Sequence, residues 1–264
     1  MGLNIKDMNY TQIQKLENLA LEHKRIMQGQ VNLEKLTYNA ITYHSTAIAG
    51  STLTKKQVYD LLDFDIPAKG KPFVEHQMEL DHQKALIFTL NKAKKHAPLT
   101  EDLIKEIGAL VVKNTGSVYD TAFGTFDSTR GDYRLLNVFA ETRRFPENIK
   151  VPALMKAFVY DINDKINTAQ KFRQKCELAF ETHYRFASIR PFADGNGRTS
   201  RLLMNYVLAM FDLPISNVFR NNRVSYIQTL ERISEMGSNL LFYNFLYHQY
   251  QKFIEKGLNV LKKN

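Results

Sequence analysis

The sequence predicts an all-α protein. Apolar residues recur at helical spacing along most of its 264 residues, and capping residues and prolines stand where helices should begin. One long stretch, Gly116 to Lys150, loses that pattern and gathers turn residues instead. Taken in order, Ile13, Leu16, Ala20, His23 and Met27 share one face of a first helix. Leu33, Leu36, Ala40 and Ile48 mark a second, ended by Gly50. Thr54-x-x-Gln57 is a capping box, in which hydroxyl and amide satisfy each other's backbone N–H, and it opens a short third helix. Residues 66–72, with Pro67, Gly70 and Pro72, read as a loop. They divide an N-terminal helical segment, residues 1–72, from a main body, residues 73–264. Helices are predicted over Phe73 to Lys95 and over Thr100 to Asn114, with Thr100 as N-cap. Pro152, whose fixed φ suits a first helical turn, starts the next helix. A run through Phe186, a helix from Arg198 to about Met210 and a C-terminal helical pair complete the chain.

At 44% apolar content the chain can bury one substantial core or two small ones. Its single cysteine, Cys176, excludes an intrachain disulfide framework and suits a reducing compartment. Lying in an apolar periodic stretch, it reads as a packed thiol. The net charge of +9 invites a nucleic-acid reading. However, the lysines and arginines are scattered, and neither zinc-finger spacing nor an RNA-binding signature is present, so nucleic acid is not expected. The first residues do not form a secretory signal or a good myristoylation site, and no stretch is long and apolar enough for a membrane span. A cytoplasmic location is expected. A homo-oligomer is left open.

The run from Ile189 to Arg201 carries the chemistry. Gly195 and Gly197 allow positive φ and close approach of backbone to a ligand. A helix starts directly after them, and its unpaired N–H groups favour an anion in the turn. Arg198 and Arg201 are three apart and can reach the same charged group. Together these describe a polyphosphate cradle. The run is not a Walker loop, which needs Gly-Lys-Ser/Thr, nor a Rossmann fingerprint, which needs a third glycine after a strand. No register provides the oxygen ligands of an EF-hand. A merely structural turn is the alternative.

The run resembles the signature of Fic-domain proteins, His-x-Phe-x-Asp/Glu-Gly-Asn-Gly-Arg-x-x-Arg, at every fixed position except the first. Tyr184 to Ile189 before it and Leu202 to Asn205 after it extend the match. Gly131 to Arg134, with Val151 to Met155, is similar to the family's substrate-docking flap and the helix after it. Roughly residues 75 to 245 are covered. The resemblance implies a Fic-type helical core with a short β-hairpin flap. It also implies transfer of AMP from ATP to a Ser, Thr or Tyr hydroxyl of a target protein. On that basis Asp194 would hold Mg2+, while Gly195, Asn196 (side chain included) and Gly197 would form the anion hole for the α-phosphate. Arg198 and Arg201 would bind the outer phosphates, and Phe192 would anchor the loop in the core. Arg134, Leu135, Leu136, Asn137 and Val138, continuing to Phe139, would pair with a target segment as an added strand. Arg223 and Tyr226 resemble an Arg-x-x-Tyr that lines the nucleoside pocket.

Two departures bear on activity. Arg190 stands where the family has the histidine that takes the proton from the attacking hydroxyl. A guanidinium has no acceptor and stays protonated, so it cannot be that base. Ser45 to Gly50 resembles the family's inhibitory motif, Ser/Thr-x-x-x-Glu-Gly/Asn, with Ala49 at the glutamate position. Alanine cannot pair with Arg201, which should be free to bind phosphate. Two readings follow: an AMP transferase with an impaired transfer step, or a nucleotide-dependent binding protein that modifies nothing. His183 lies roughly 10 Å up its helix from the loop and, like His44, reads as structural. His76, Asp81 and His82 lack a third metal ligand and read as solvated helix residues.

Overall fold

The computed structural model describes residues 8–140 and 143–261. Ten α-helices lie among them: α1 (Tyr10–Met27), α2 (Val31–Ile48), α3 (Lys55–Phe64), α4 (Phe73–Lys94), α5 (Glu101–Val111), α6 (Val151–Thr168), α7 (Phe172–Ile189), α8 (Asn196–Met210), α9 (Arg223–Met236) and α10 (Leu240–Leu261). Two antiparallel hairpins separate α5 from α6. In the first, β1 (Val118–Thr121) pairs with β2 (Gly124–Asp127), Val118 opposite Asp127. In the second, β3 (Phe139–Ala140) pairs with β4 (Arg143–Arg144).

The helix starts follow local chemistry. Thr54 and Gln57 form the reciprocal capping box at α3, and Thr100 accepts from the Leu103 N–H at α5. Pro152 occupies the first turn of α6. Two expected boundaries shift. Helix α5 ends at Val111 rather than Asn114, and α8 begins at Asn196, before the apolar pattern that marks it. The stretch after Gly116 holds a hairpin, β1–β2, that its polar, short-period sequence does not announce. Within the flap, Phe139 pairs with Arg144 and Ala140 with Arg143 of the same chain.

Helix α8 is the centre of the molecule. It packs on α7, α4, α5 and α2, and every residue from Arg198 to Leu208 is buried. One hydrophobic cluster runs from Ile13, Leu16 and Ile41 through Leu86, Ile107, Phe158, Phe186 and Leu203 to Tyr247 and Ile254. Residues on both sides of position 72 therefore share one core. A smaller cluster, with Tyr43, Leu53, Val58, Leu61 and Ala68, sits between α2 and α3. Cys176 is fully buried, and burial raises its thiol pKa.

His76, Asp81 and His82 are not solvated: each is buried. Helix α4 packs on α2, α3, α5 and α8, and the polar residues on those faces find partners inside. His76 Nε2 accepts from the Ala68 N–H, while its Nδ1 lies 2.9 Å from the Pro72 carbonyl. Asp81 accepts from the backbone and the side-chain amide of Asn114. No group of metal-ligating residues occurs among the described residues.

Glu79, on the same helix, is fully buried between the Thr46 and Ser51 hydroxyls, 2.8 and 2.7 Å from its oxygens. Burial pushes its pKa up from the ordinary 4.5 to about 7, against the pull of those hydroxyls. Between those two values the folded chain holds a proton that the unfolded chain releases, so this group's contribution to stability falls as pH rises. Glu79→Gln removes the titration. The wild-type-minus-variant difference in unfolding free energy should drop by about 3 kcal/mol between pH 4.5 and 8. Urea titrations across that range measure it, and a difference independent of pH would contradict the assignment.

Candidate nucleotide-binding site

The loop between α7 and α8 builds the site. Helix α7 stops at Arg190, which takes a left-handed conformation (φ 50°, ψ 60°) while its N–H still bonds the Phe186 carbonyl at 3.0 Å. The chain reverses through Pro191 to Gly195, and Gly195, at φ 77°, is the N-cap of α8. Phe192 drives its ring into the core against Tyr133 and Phe186. A methyl group on Gly108 would come within 2.4 Å of that ring, so the helix opposite is shaped to receive it. The Asn196 amide closes the turn. Its Oδ1 accepts from the Phe192 N–H at 3.0 Å and its Nδ2 donates to the Phe192 carbonyl at 2.8 Å. The Asn196 side-chain amide, expected in an anion hole, thus faces back into the loop, and the first N–H groups of α8 have no acceptor one turn back within the helix.

Each arginine is held before any ligand arrives. Arg198, 2% exposed, donates to the Val111 carbonyl at 3.1 Å and to Asp194 at 3.0 Å. Burial lowers its pKa, and the adjacent Asp194 carboxylate opposes that effect. The Asp194 side chain itself is 64% exposed at the rim. Arg201 reaches across to α2, donating to the Ser45 hydroxyl at 3.0 Å and to the Ser45 carbonyl at 2.8 Å. It also approaches the Tyr226 hydroxyl at 3.4 Å. Thus Arg201 is not free, although Ala49 offers it nothing. The partners of Arg201 are the hydroxyl and carbonyl of Ser45, in the last turn of α2, at the negative end of that helix. Ala49 caps that helix and Gly50, at φ 116°, turns the chain away; both are exposed. Arg223 donates to the Ile48 carbonyl at 3.0 Å, so it caps α2 as well. Nothing in the sequence signals this second cap.

Tyr226 is buried against the site, its hydroxyl 2.7 Å from His183 Nε2. His183 also faces the Ser200 hydroxyl at 3.3 Å. Burial, and then the charge of Arg201, hold its pKa down at about 3, so it is a neutral core residue and no substitute base. Arg190 turns its guanidinium toward the Phe145 ring, 4.9 Å from the centroid.

Arg134 corrects its expected place on the docking edge. Its side chain is fully buried and donates to the carbonyls of Arg190 (2.8 Å), Leu136 (2.7 Å) and Pro146 (2.6 Å), while its N–H bonds the Pro191 carbonyl. Burial and the neighbouring Arg190 charge lower its pKa. The Leu135 carbonyl and the Asn137 side chain are engaged by Asn148. Val138 leads into β3.

These residues surround a cavity of about 430 Å³. Arg190, Arg198, Arg201 and Arg223 line it against Asp194 and Glu231, with Ile48, Phe145, Tyr226, Ile227 and Leu230 as apolar walls. A cationic pocket with a helix N-terminus at one end and an aromatic, aliphatic wall suits a ligand with a charged tail and a flat apolar head.

The chain as a whole is similar to known proteins. A curated relative named protein adenylyltransferase Fic, from Culex quinquefasciatus, is 28% identical over 78% of this chain and 39% of its own length. Another of that name, from Nematostella vectensis, is 29% identical over 75% of this chain and 44% of its own length. The chain thus spans about two fifths of the length of these relatives. A Fic domain containing signaling protein from Bacteroides thetaiotaomicron shares the fold, with a TM-score of 0.80 at 22% identity over 96% of this chain and 98% of that one. Residues 98–208, which run from just before α5 through most of α8, match the model of the Fic/DOC family.

Proposed function

We propose that the cleft binds Mg2+-bound ATP and that the chain is an AMP-transfer scaffold acting on a protein hydroxyl, with its transfer step impaired. The observation that carries this reading is the intact cradle, Asp194 to Arg201, beside Arg190. The first turn of α8 would receive the α-phosphate, and Arg198 and Arg201 the outer phosphates. Asp194 is a single exposed carboxylate, which suits a hard cation whose remaining ligands are phosphate oxygens and water. Bound there, Mg2+ would neutralise phosphate charge. Tyr226, Ile227 and Leu230 would line the nucleoside end. The β3–β4 hairpin, next to Arg190 in the chain's flap, would present the target segment.

In the transfer itself a target hydroxyl oxygen bonds to the α-phosphorus, the bond to the pyrophosphate oxygen breaks, and the hydroxyl proton must leave. Arg190 has no lone pair to take it. Loss of a positioned base costs about 10²–10⁴ in rate. Nucleotide binding does not need that base, which favours a second reading: a nucleotide-dependent binding protein that recognises its partner without modifying it.

Arg190→His distinguishes the two. Label transfer from α-labelled ATP to self or target should rise at least about 100-fold in the variant. A variant that binds ATP as before yet gains no transfer would leave the binding-protein reading. Regulation gives a further expectation. Position 49 is one turn beyond Ser45 on the cleft side of α2, so Ala49→Glu sets a carboxylate beside Arg201. Calorimetry should then show Mg·ATP affinity reduced about tenfold, a difference of about 1.4 kcal/mol. An unchanged affinity would show that Arg201 does not contribute to the phosphate site.

A further inference from the structure

A second cavity, of about 440 Å³, opens between α1, α2 and α10, away from the cradle. Met27, Leu33, Leu36, Ala40, Phe219 and Phe253 form most of its wall. Leu36 belongs to the apolar stripe of α2, yet it is 42% exposed because no other element covers it there. The mouth is cationic. Lys55 stands over the Tyr59 ring at 5.1 Å, and Lys252 and Lys256 stand over Phe219 at 4.9 and 4.5 Å. No aspartate or glutamate lines the cavity, and among the described residues none of these lysines has an ion-pair partner. His44 sits at the same end, its ring edge-on to Phe219. Its pKa is held down at about 4 by burial and then by Lys256, Lys55, Arg220 and Lys252, a direct sign that positive charge converges there.

The geometry points to a ligand site for a small amphipathic anion: a medium-chain aliphatic carboxylate, its tail along α2 and its head between Lys55 and Lys256. An uncompensated cluster of cations at one end calls for negative charge, and the apolar wall behind it calls for a hydrocarbon. Faces of α1, α2, α3 and α10 and the Phe219 ring bound the hollow. At about 440 Å³ it is of a size for a chain of methylenes, whereas a partner helix needs an open trench about 10 Å wide.

The test is calorimetric titration of the full chain with decanoate below its micelle-forming concentration, with decyltrimethylammonium and acetate as controls. Decanoate should bind one to one, at least tenfold more tightly than the cation of equal tail length, and acetate should not bind. Lys55→Glu combined with Lys256→Glu, both at exposed positions, should weaken decanoate at least tenfold. Ala40→Phe, which fills the hollow, should abolish binding. If Ala40→Phe does not fold, the charge-reversed variant decides alone. Absence of decanoate binding, equal binding of both head groups, or undiminished binding by the charge-reversed variant would each overturn the assignment.

Discussion

Arg134 carries a positive charge on a fully buried side chain, and among the described residues no carboxylate pairs with it. What stabilises it is a set of backbone carbonyls from three separate segments, those of Arg190, Leu136 and Pro146. A planar guanidinium with its donors in a fixed fork can serve all three at once, and an ammonium could not hold them in that geometry. The consequence is mechanical. The loop that carries the cradle, the start of the flap and the approach to α6 are bound to one rigid group, so their spacing is set before a ligand arrives. Arg190 is itself shaped by this, because its carbonyl is one of the three and its left-handed backbone is what turns that carbonyl inward.

The end of α2 shows the same economy of charge. Its terminal carbonyls form the negative pole of a helix, and two arginines from distant parts of the chain, Arg201 and Arg223, settle on them. Ala49, at the end of the helix, carries no charge, yet Arg201 is engaged through the Ser45 hydroxyl and carbonyl. Any phosphate entering the cleft would compete with a pair of hydrogen bonds to uncharged acceptors rather than with an ion pair, and these are the weaker competitor.

Local chemistry could be read from residue order where it depends on neighbours a few positions apart. The Thr54 and Thr100 caps, the glycine-flanked turn and the start of α6 are of this kind. Long-range burial could not. His76, Glu79, Asp81 and His82 look like the polar face of a surface helix, but the faces that carry them are packed against the rest of the fold and each residue meets a partner outside the helix. Arg134 looked like an exposed loop residue for the same reason: its acceptors are carbonyls, which every residue has and no sequence pattern marks. The β1–β2 hairpin is short and largely exposed, so it carries little of the alternation that reveals a half-buried strand. Leu36 erred in the opposite direction, an apolar residue in helical register whose face the fold leaves uncovered.

Helix α8 is enclosed along nearly its whole length, and only its first turn opens to the cleft. A rod clamped in this way cannot tilt or slide to accommodate what docks at its tip. Selection at that tip would therefore be stereochemical: a guest of the wrong shape would meet a fixed surface rather than one that adapts to it.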